Sequence, residues 1–471
     1  MDSYVSIPRN SNSERSSEHA EGPPEYSDAV DTGALTISQD NIHPLAPRVQ
    51  PTPGSRPDTE HVSTLEDSTG RRWLSLLVKS RSPSSSMPPL FYEGQPIHGS
   101  VEIDLTRPQS IEEVSVSVNG LISCSVSEIV PFYTETKVLW KRPGDRPPMS
   151  GRRLGLWLSD NREKLNGQHT WSFQFIIPGE FAVDANVAKR YNLASVELMP
   201  PSLGGNGSHP SSIDYQVTVN VKRDAFFQPD SSLYVRFIFT PLSRPGVPSP
   251  LRTEAYREGA HLFGPESDPD GWEVFPSFEV KGILFHTRSI DVTATFALAT
   301  PLNYTRGSAI PCSLTIQCAD RQALALFANE AAPIVRMRRK LEFLFPSSVE
   351  GGNEGSGYRP DTEERIPLSI AVWKSDVEEF GGGDSENKRE LYGELNLPRY
   401  LVPSFTFGAF QVKYVVDINP FDVPGFVPVS DDRLFRTEVR ISSAFADGPR
   451  PKAYLPPGYI SDREGQRASR S

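Results

Sequence analysis

The residues best placed to do chemistry in this chain do the chemistry of recognition. Pro23-Pro24-Glu25-Tyr26 and Pro456-Pro457-Gly458-Tyr459 repeat one Pro-Pro-x-Tyr spacing near the two ends of the sequence. With 44 prolines and 15 tyrosines in 471 residues, random order gives roughly 0.13 such matches. Paired prolines hold the backbone in polyproline II, which turns every three residues and has little entropy left to lose on docking. An aromatic groove of the WW type grips the rings of Pro23 and Pro24, or of Pro456 and Pro457. Tyr26 or Tyr459, one turn along, then lands in a second pocket on the same side.

Catalytic patterns are absent from the sequence. The eight histidines are dispersed, with no HExxH, no paired metal spacing and no GxSxG elbow. Gly381-Gly382-Gly383 and GGNEGSG lack the Lys-Ser or Lys-Thr that would follow in a phosphate loop. Cys124, Cys312 and Cys318 are odd in number and form no CxxC pair, which argues against a disulfide framework or a zinc site. Cys312 and Cys318 read as core thiols. The expectation is a protein with no catalytic residues, no metal and no cofactor. A sugar-binding or hydrolytic β-sandwich would need an acidic pair in a cleft, and no candidate pair stands out. One strongly basic run, Val335-Arg336-Met337-Arg338-Arg339-Lys340-Leu341, would turn Arg336, Arg338 and Lys340 to one side of a strand. That side is either a solvated face that discourages edge-to-edge aggregation or a contact for anionic lipid or an acidic cargo tail.

The elements that must carry these motifs are of two kinds. Residues 1–70 are rich in Ser, Pro, Asp and Glu, carry almost no apolar periodicity and hold most of the chain's net charge of −11. They are expected to be disordered. The remainder is close to neutral, so nucleic acid is an unfavoured partner. The first lysine is Lys79, so a ubiquitin carried to this chain's lysines must land beyond the acidic tail. No basic, apolar leader opens the sequence and no run approaches 18 apolar residues, which predicts a cytoplasmic protein.

From Trp73 to about Phe445 the pattern is short β-rich runs between Gly, Pro, Asn and Ser clusters. Strands are predicted at Ile97–Leu105, Val114–Asn119, Trp171–Ile177, Tyr215–Val221, Leu233–Phe239, Ile310–Ile316 and Val412–Ile418. The second half echoes the first. PLFYEGQPIHGSVEI from Pro89 aligns with PLNYTRGSAIPCSLTI from Pro301, and MPPSL followed by IDYQVTV is echoed by LVPSF followed by FQVKYVV. Tyr92 then matches Tyr304, and Tyr215 matches Tyr414. Two sandwiches in tandem, divided in the Pro-rich stretch from Pro241 to Pro276, account for the order.

This series of segments, with IEEVSVSVNG, GQHTWSFQFIIP and LPRYLVPSFTFGAFQVKYVVDI, resembles the arrestin fold, specifically the alpha-arrestins or arrestin-related trafficking adaptors. The resemblance implies an all-β chain of two tandem arrestin-like, immunoglobulin-type β-sandwiches with disordered N- and C-terminal tails. The divisions are 1–70 (acidic tail), 71–243 (N lobe), 244–276 (linker), 277–445 (C lobe) and 446–471 (C-terminal tail). It also implies a non-enzymatic adaptor that recruits a WW-domain HECT-type ubiquitin ligase to membrane transporters or receptors for ubiquitination and endocytosis. Such an adaptor would be cytoplasmic and recruited to the plasma membrane or endosomes, with peripheral membrane association. The alternative is an arrestin-like signalling scaffold, as in ambient-pH signalling, that is itself ubiquitinated. Lys452, close to the second motif, is a candidate ubiquitin acceptor, with Lys413 and Lys281 on the C lobe as competitors. Three features depart from the family pattern: about twenty residues separate Pro178 from Pro200, RRLGLW with its flanks reads as another expanded loop between strands, and one motif lies in the N-terminal tail.

Overall fold

A computed structural model describes residues 58–125, 128–143, 164–204, 212–223, 229–342, 362–363, 367–375, 385–408 and 410–456. In the N lobe the strands are β1 (Thr59–Glu66), β2 (Arg72–Ser80), β3 (Leu90–Tyr92), β4 (Pro96–Gln109), β5 (Ile111–Ser125), β6 (Glu128–Lys141), β7 (Leu165–Ile176), β8 (Glu180–Ala182), β9 (Val196–Leu198), β10 (Ser212–Arg223) and β11 (Ser231–Thr240), with helix α1 at Ala185–Tyr191. The linker carries α2 (Pro250–Glu258) and β12 (Trp272–Val274). The C lobe contains β13 (Phe278–Leu284), β14 (Arg288–Ala299), β15 (Asn303–Thr305), β16 (Ala309–Gln317), α3 (Arg321–Phe327), β17 (Ile334–Glu342), β18 (Thr362–Glu363), β19 (Ser369–Ile370), β20 (Val372–Lys374), β21 (Lys388–Asn396), β22 (Phe405–Phe407), β23 (Phe410–Asn419), β24 (Phe426–Pro428) and β25 (Phe435–Ser442). Each predicted strand falls on one of these, and the chain is all-β in class.

Both lobes are built from two sheets in corresponding order. The N lobe has β1-β2-β4-β7 and β3-β11-β10-β5-β6; the C lobe has β20-β21-β16-β14-β13-β24 and β15-β25-β23-β17-β18. Alternation in sequence puts one side chain in two inward. Val114, Val116 and Val118 on β5 stand opposite Val221, Val219 and Val217 on β10, all fully buried. Each such side chain contributes about 1.5–3 kcal/mol by leaving water.

The tandem repeat extends to single hydrogen bonds. The hydroxyl of Tyr215 donates to the Pro200 carbonyl at 2.5 Å, and that of Tyr414 donates to the Val402 carbonyl at 2.6 Å. Two residues past those carbonyls, Ser202 Oγ accepts from Phe239 N and Ser404 Oγ accepts from Ile441 N, both at 2.9 Å. A short early strand of each lobe runs parallel to its closing one, β3 beside β11 and β15 beside β25. Gly94 and Gly307, matched in the sequence alignment, both turn the chain at positive φ, 75° and 79°, a conformation that favours glycine.

The tip between β22 and β23 joins the lobes. Phe407 places its ring 5.1 Å from that of Phe132 on β6, which in turn lies 5.5 Å from Phe181 and 5.9 Å from Tyr215. The next residue, Gly408, has φ +53°, and a Cβ there would lie 2.2 Å from the Tyr191 carbonyl oxygen at the end of α1. The long connection between Pro178 and Pro200 thus holds β8, α1 and β9, and supplies the backbone on which the C lobe rests.

The structure corrects the expected extent of the tails. Residues 59–66, expected to be disordered within 1–70, form β1. Their apolar content is low because β1 is an edge strand, and its order comes from antiparallel pairing with β2 across its length. The C lobe likewise does not end at Phe445: Tyr454 and Leu455 still pack against the core. Residues 1–57 and 457–471 lie outside the described residues.

Candidate C-terminal motif anchor

The segment leading into the second Pro-Pro-x-Tyr motif is fastened to the C lobe by β21. Along that strand Leu391, Gly393 and Leu395 point into the sandwich, so Tyr392, Glu394 and Asn396 face the other side. Gly393 has no room for a side chain, since a Cβ would meet the Trp373 ring at 2.5 Å. Glu394 is nevertheless 0% exposed, because α2 and the C-terminal segment cover the outer face.

Its carboxylate is satisfied by three donors. Tyr454 N donates to Oε2 at 2.9 Å and Oε1 at 3.1 Å, Leu455 N to Oε2 at 3.0 Å, and the Tyr392 hydroxyl to Oε1 at 2.8 Å. Burial pushes the carboxyl above the usual carboxylate range, and the bonds from Leu455, Tyr392 and Tyr454 pull it partly back. Hydrogen bonds to a charged partner stabilise by about 1.5–3 kcal/mol each. A buried carboxylate without them would be costly.

Further contacts extend the grip on both sides. The Tyr454 hydroxyl donates to the Ala260 carbonyl at 2.7 Å, and its ring lies 5.9 Å from that of His261. Asn396 Nδ2 donates to the Pro456 carbonyl at 3.4 Å. Tyr454 and Leu455 are half-buried against the core, while Pro456, the first motif proline, is exposed. Upstream, Ser443 N donates to Ser243 Oγ at 3.0 Å and Ala444 N to the Ser243 carbonyl at 2.9 Å. The platform is itself held: Ser249 caps α2, and the buried Arg252 guanidinium donates to the Thr300 carbonyl at 2.9 Å and to that of Gly271.

Of the predicted binding residues, Pro456 is thus placed, while Pro23, Pro24, Tyr26, Pro457 and Tyr459 lie outside the described residues. Arg336, Arg338 and Lys340 do share one side of β17, with Val335, Met337 and Leu341 buried on the other. That side is not an open cationic strip. Arg338 Nε lies 3.6 Å and Arg433 Nε 3.3 Å from Oδ2 of Asp417, which is 0% exposed. Lys340 and Lys413 each lie 3.3 Å from Glu342.

The three candidate acceptor lysines are far apart in environment. Lys413 carries the Glu342 pair; Lys281 is half-exposed and pairs with Glu279 at 2.5 Å. Lys452 is exposed within the fastened segment, close to Gly259 at the end of α2. Cys312 and Cys318 are buried and free, as core thiols would be.

Among the described residues, no group of three or more His, Cys, Asp and Glu is placed to hold a metal ion, and no helix is long and apolar enough to cross a membrane. Sequence reasoning missed Glu394, Asn396 and Tyr454. The available signal was the apolar pair Tyr454-Leu455 immediately before the motif and an acid set between apolar residues in LYGEL. No protein-family model matches the chain, and no curated protein matches it.

Proposed function

We propose that the chain is a non-enzymatic, arrestin-like adaptor that recruits a WW-domain HECT-type ubiquitin ligase to membrane transporters or receptors and so promotes their ubiquitination and endocytosis. The observation that carries the reading is the pair of Pro-Pro-x-Tyr motifs, one at each end of a tandem β-sandwich body. The body would recognise cargo; Tyr26 and Tyr459 with their prolines would bring the ligase. Two motifs facing several WW domains gain a factor of about 10² to 10⁴ in avidity when both engage. The catalytic cysteine belongs to the ligase, and the adaptor acts by proximity.

The test is binding of the intact chain to a set of purified WW domains, comparing wild type with Tyr26→Ala, Tyr459→Ala and the double substitution. Each single change is expected to weaken binding to tandem WW domains, and the double change to abolish it. Wild-type affinity no greater than that of scrambled motifs would reject the reading.

A further inference from the structure

The stretch from Pro241 to Ser249, between β11 and α2, forms no helix, strand or turn, yet its contacts with the body repeat at every third residue. Ser243 N donates to Ser443 Oγ at 2.9 Å, and Ser443 N donates to Ser243 Oγ at 3.0 Å. Three residues on, a Cβ added to Gly246 would lie 3.5 Å from Pro301 Cγ. Three further, Ser249 Oγ donates to Asp268 Oδ2 at 2.6 Å and accepts from Arg252 N at 3.2 Å. One contact per three residues is the period of polyproline II.

The sequence PLSRPGVPSP, residues 241–250, favours that conformation. Pro245, Pro248 and Pro250 fix φ, and Arg244, Val247 and Ser249, each preceding a proline, are steered to extended backbone. Ser249 has φ −53° and ψ 154°, close to polyproline II. Gly246 escapes both constraints and still stays out of the left-handed region. Among the described residues, no backbone–backbone hydrogen bond involves residues 244–248, and polyproline II needs none. With one row turned to the body, two rows face outward: Leu242, Pro245 and Pro248, then Arg244, Val247 and Pro250. Leu242 is 50% and Val247 64% exposed; Arg244 and Pro250 are exposed, and Pro245 and Pro248 half-buried.

We propose that residues 244–250 are a preformed docking ridge for an SH3-type domain, whose aromatic-lined groove takes Pro245 and Val247-Pro248 and whose acidic rim takes Arg244. Such grooves read Pro-x-x-Pro in polyproline II, the spacing of Pro245 and Pro248. A WW domain of the Pro-Pro-x-Tyr class does not fit, because residues 241–250 contain no adjacent prolines and no tyrosine. The fold has already ordered the ridge, so docking costs little conformational entropy. Arg244 donates to the Phe445 carbonyl at 2.7 Å and lies 3.5 Å from Asp447, whose side chain is 92% exposed. So exposed an ion pair holds weakly, and the guanidinium can exchange it for a carboxylate on the partner. The proposal does not depend on the adaptor reading and adds a second class of partner, bound to the body of the molecule.

The full-length chain is titrated calorimetrically with each of a panel of purified SH3 domains. Three variants are run beside it: Pro245→Ala with Pro248→Ala, Arg244→Glu, and Tyr26→Ala with Tyr459→Ala. Saturable binding by at least one domain is expected, weakened about tenfold by the paired proline change, or about 1.4 kcal/mol. Arg244→Glu should weaken it severalfold; this change is at an exposed position and guards against a proline variant that merely misfolds. The paired tyrosine change should leave binding as in the parent. Affinity that survives both the proline and the arginine changes would place the contact in another Pro-rich segment and overturn the proposal. So would a panel in which no domain binds the parent, or loss of binding in the tyrosine variant.

Discussion

Gly408 offers a direct test of how the lobes are held together. Substitution Gly408→Ala adds one methyl group at φ +53°, and a left-handed conformation costs an L-residue roughly 1–2 kcal/mol. The new Cβ would also sit 2.2 Å from the Tyr191 carbonyl, 2.7 Å from Leu193 Cδ2 and 3.2 Å from the Asn192 carbonyl. Two of those atoms are backbone and cannot swing aside, so overpacking adds about 1–3 kcal/mol. The strain is relieved only by drawing the β22–β23 tip out of the N lobe, which uncovers Phe407 and Phe132. The total, about 2–5 kcal/mol, corresponds to a fall in melting temperature on the order of 5–15 °C for a lobe of this size. Calorimetry of the full chain measures it, with Gly70→Ala as the internal control: Gly70 has φ +81° and nothing within 4 Å of its added Cβ, so it reports the backbone cost alone. If Gly408→Ala lowers the melting temperature no more than Gly70→Ala does, the lobes are not pressed together at this point.

Two further predictions concern stability. Tyr215→Phe and Tyr414→Phe each remove one hydroxyl bond to a carbonyl in an equivalent place, so each should cost about 1–2 kcal/mol in denaturant titrations, and a large inequality between them would break the repeat. His61, buried on β1 with Nε2 3.0 Å from Ser80 Oγ, has its pKa lowered from 6.5 by burial. The unfolded chain then takes up the proton first, so its contribution to stability is complete above pH 6.5 and is lost as pH falls through the folded value. Denaturation midpoints should therefore drop on acidification from pH 7.5, and His61→Asn should flatten that slope.

What was legible in the sequence was whatever is written locally and periodically. Val114, Val116 and Val118 announce a strand with one buried face, and the Pro-Ser and Tyr pairs at Ser202, Tyr215, Ser404 and Tyr414 announce the repeat, because each lobe needs the same hydrogen bonds at the same corner. β1 was hidden because its order comes from a neighbour: with Val62 exposed and Leu65 half-buried, it looks like tail until β2 is beside it. The meeting of Phe132 with Phe407 joins residues that no local pattern relates. The burial of Glu394 was hidden for the same reason, since an acid in a strand implies solvent until the segment covering it is known to return from the chain's end. The motifs themselves were legible as spacing, and the contacts that fasten the segment before the second one were not.

The parallel pairings β3 with β11 and β15 with β25 also bear on how the chain is made. Two similar sandwiches in one polypeptide carry the hazard of strands pairing with the wrong lobe. Each lobe here is closed by its own last strand pairing with an earlier strand of the same lobe, so the N lobe is complete once Thr240 has emerged, before any C-lobe strand exists. At 5–20 residues per second, β25 follows on the order of 10–40 s later. Synthesis from one end therefore separates in time two halves that resemble each other in space, and the first lobe has closed its register before a competing copy is available.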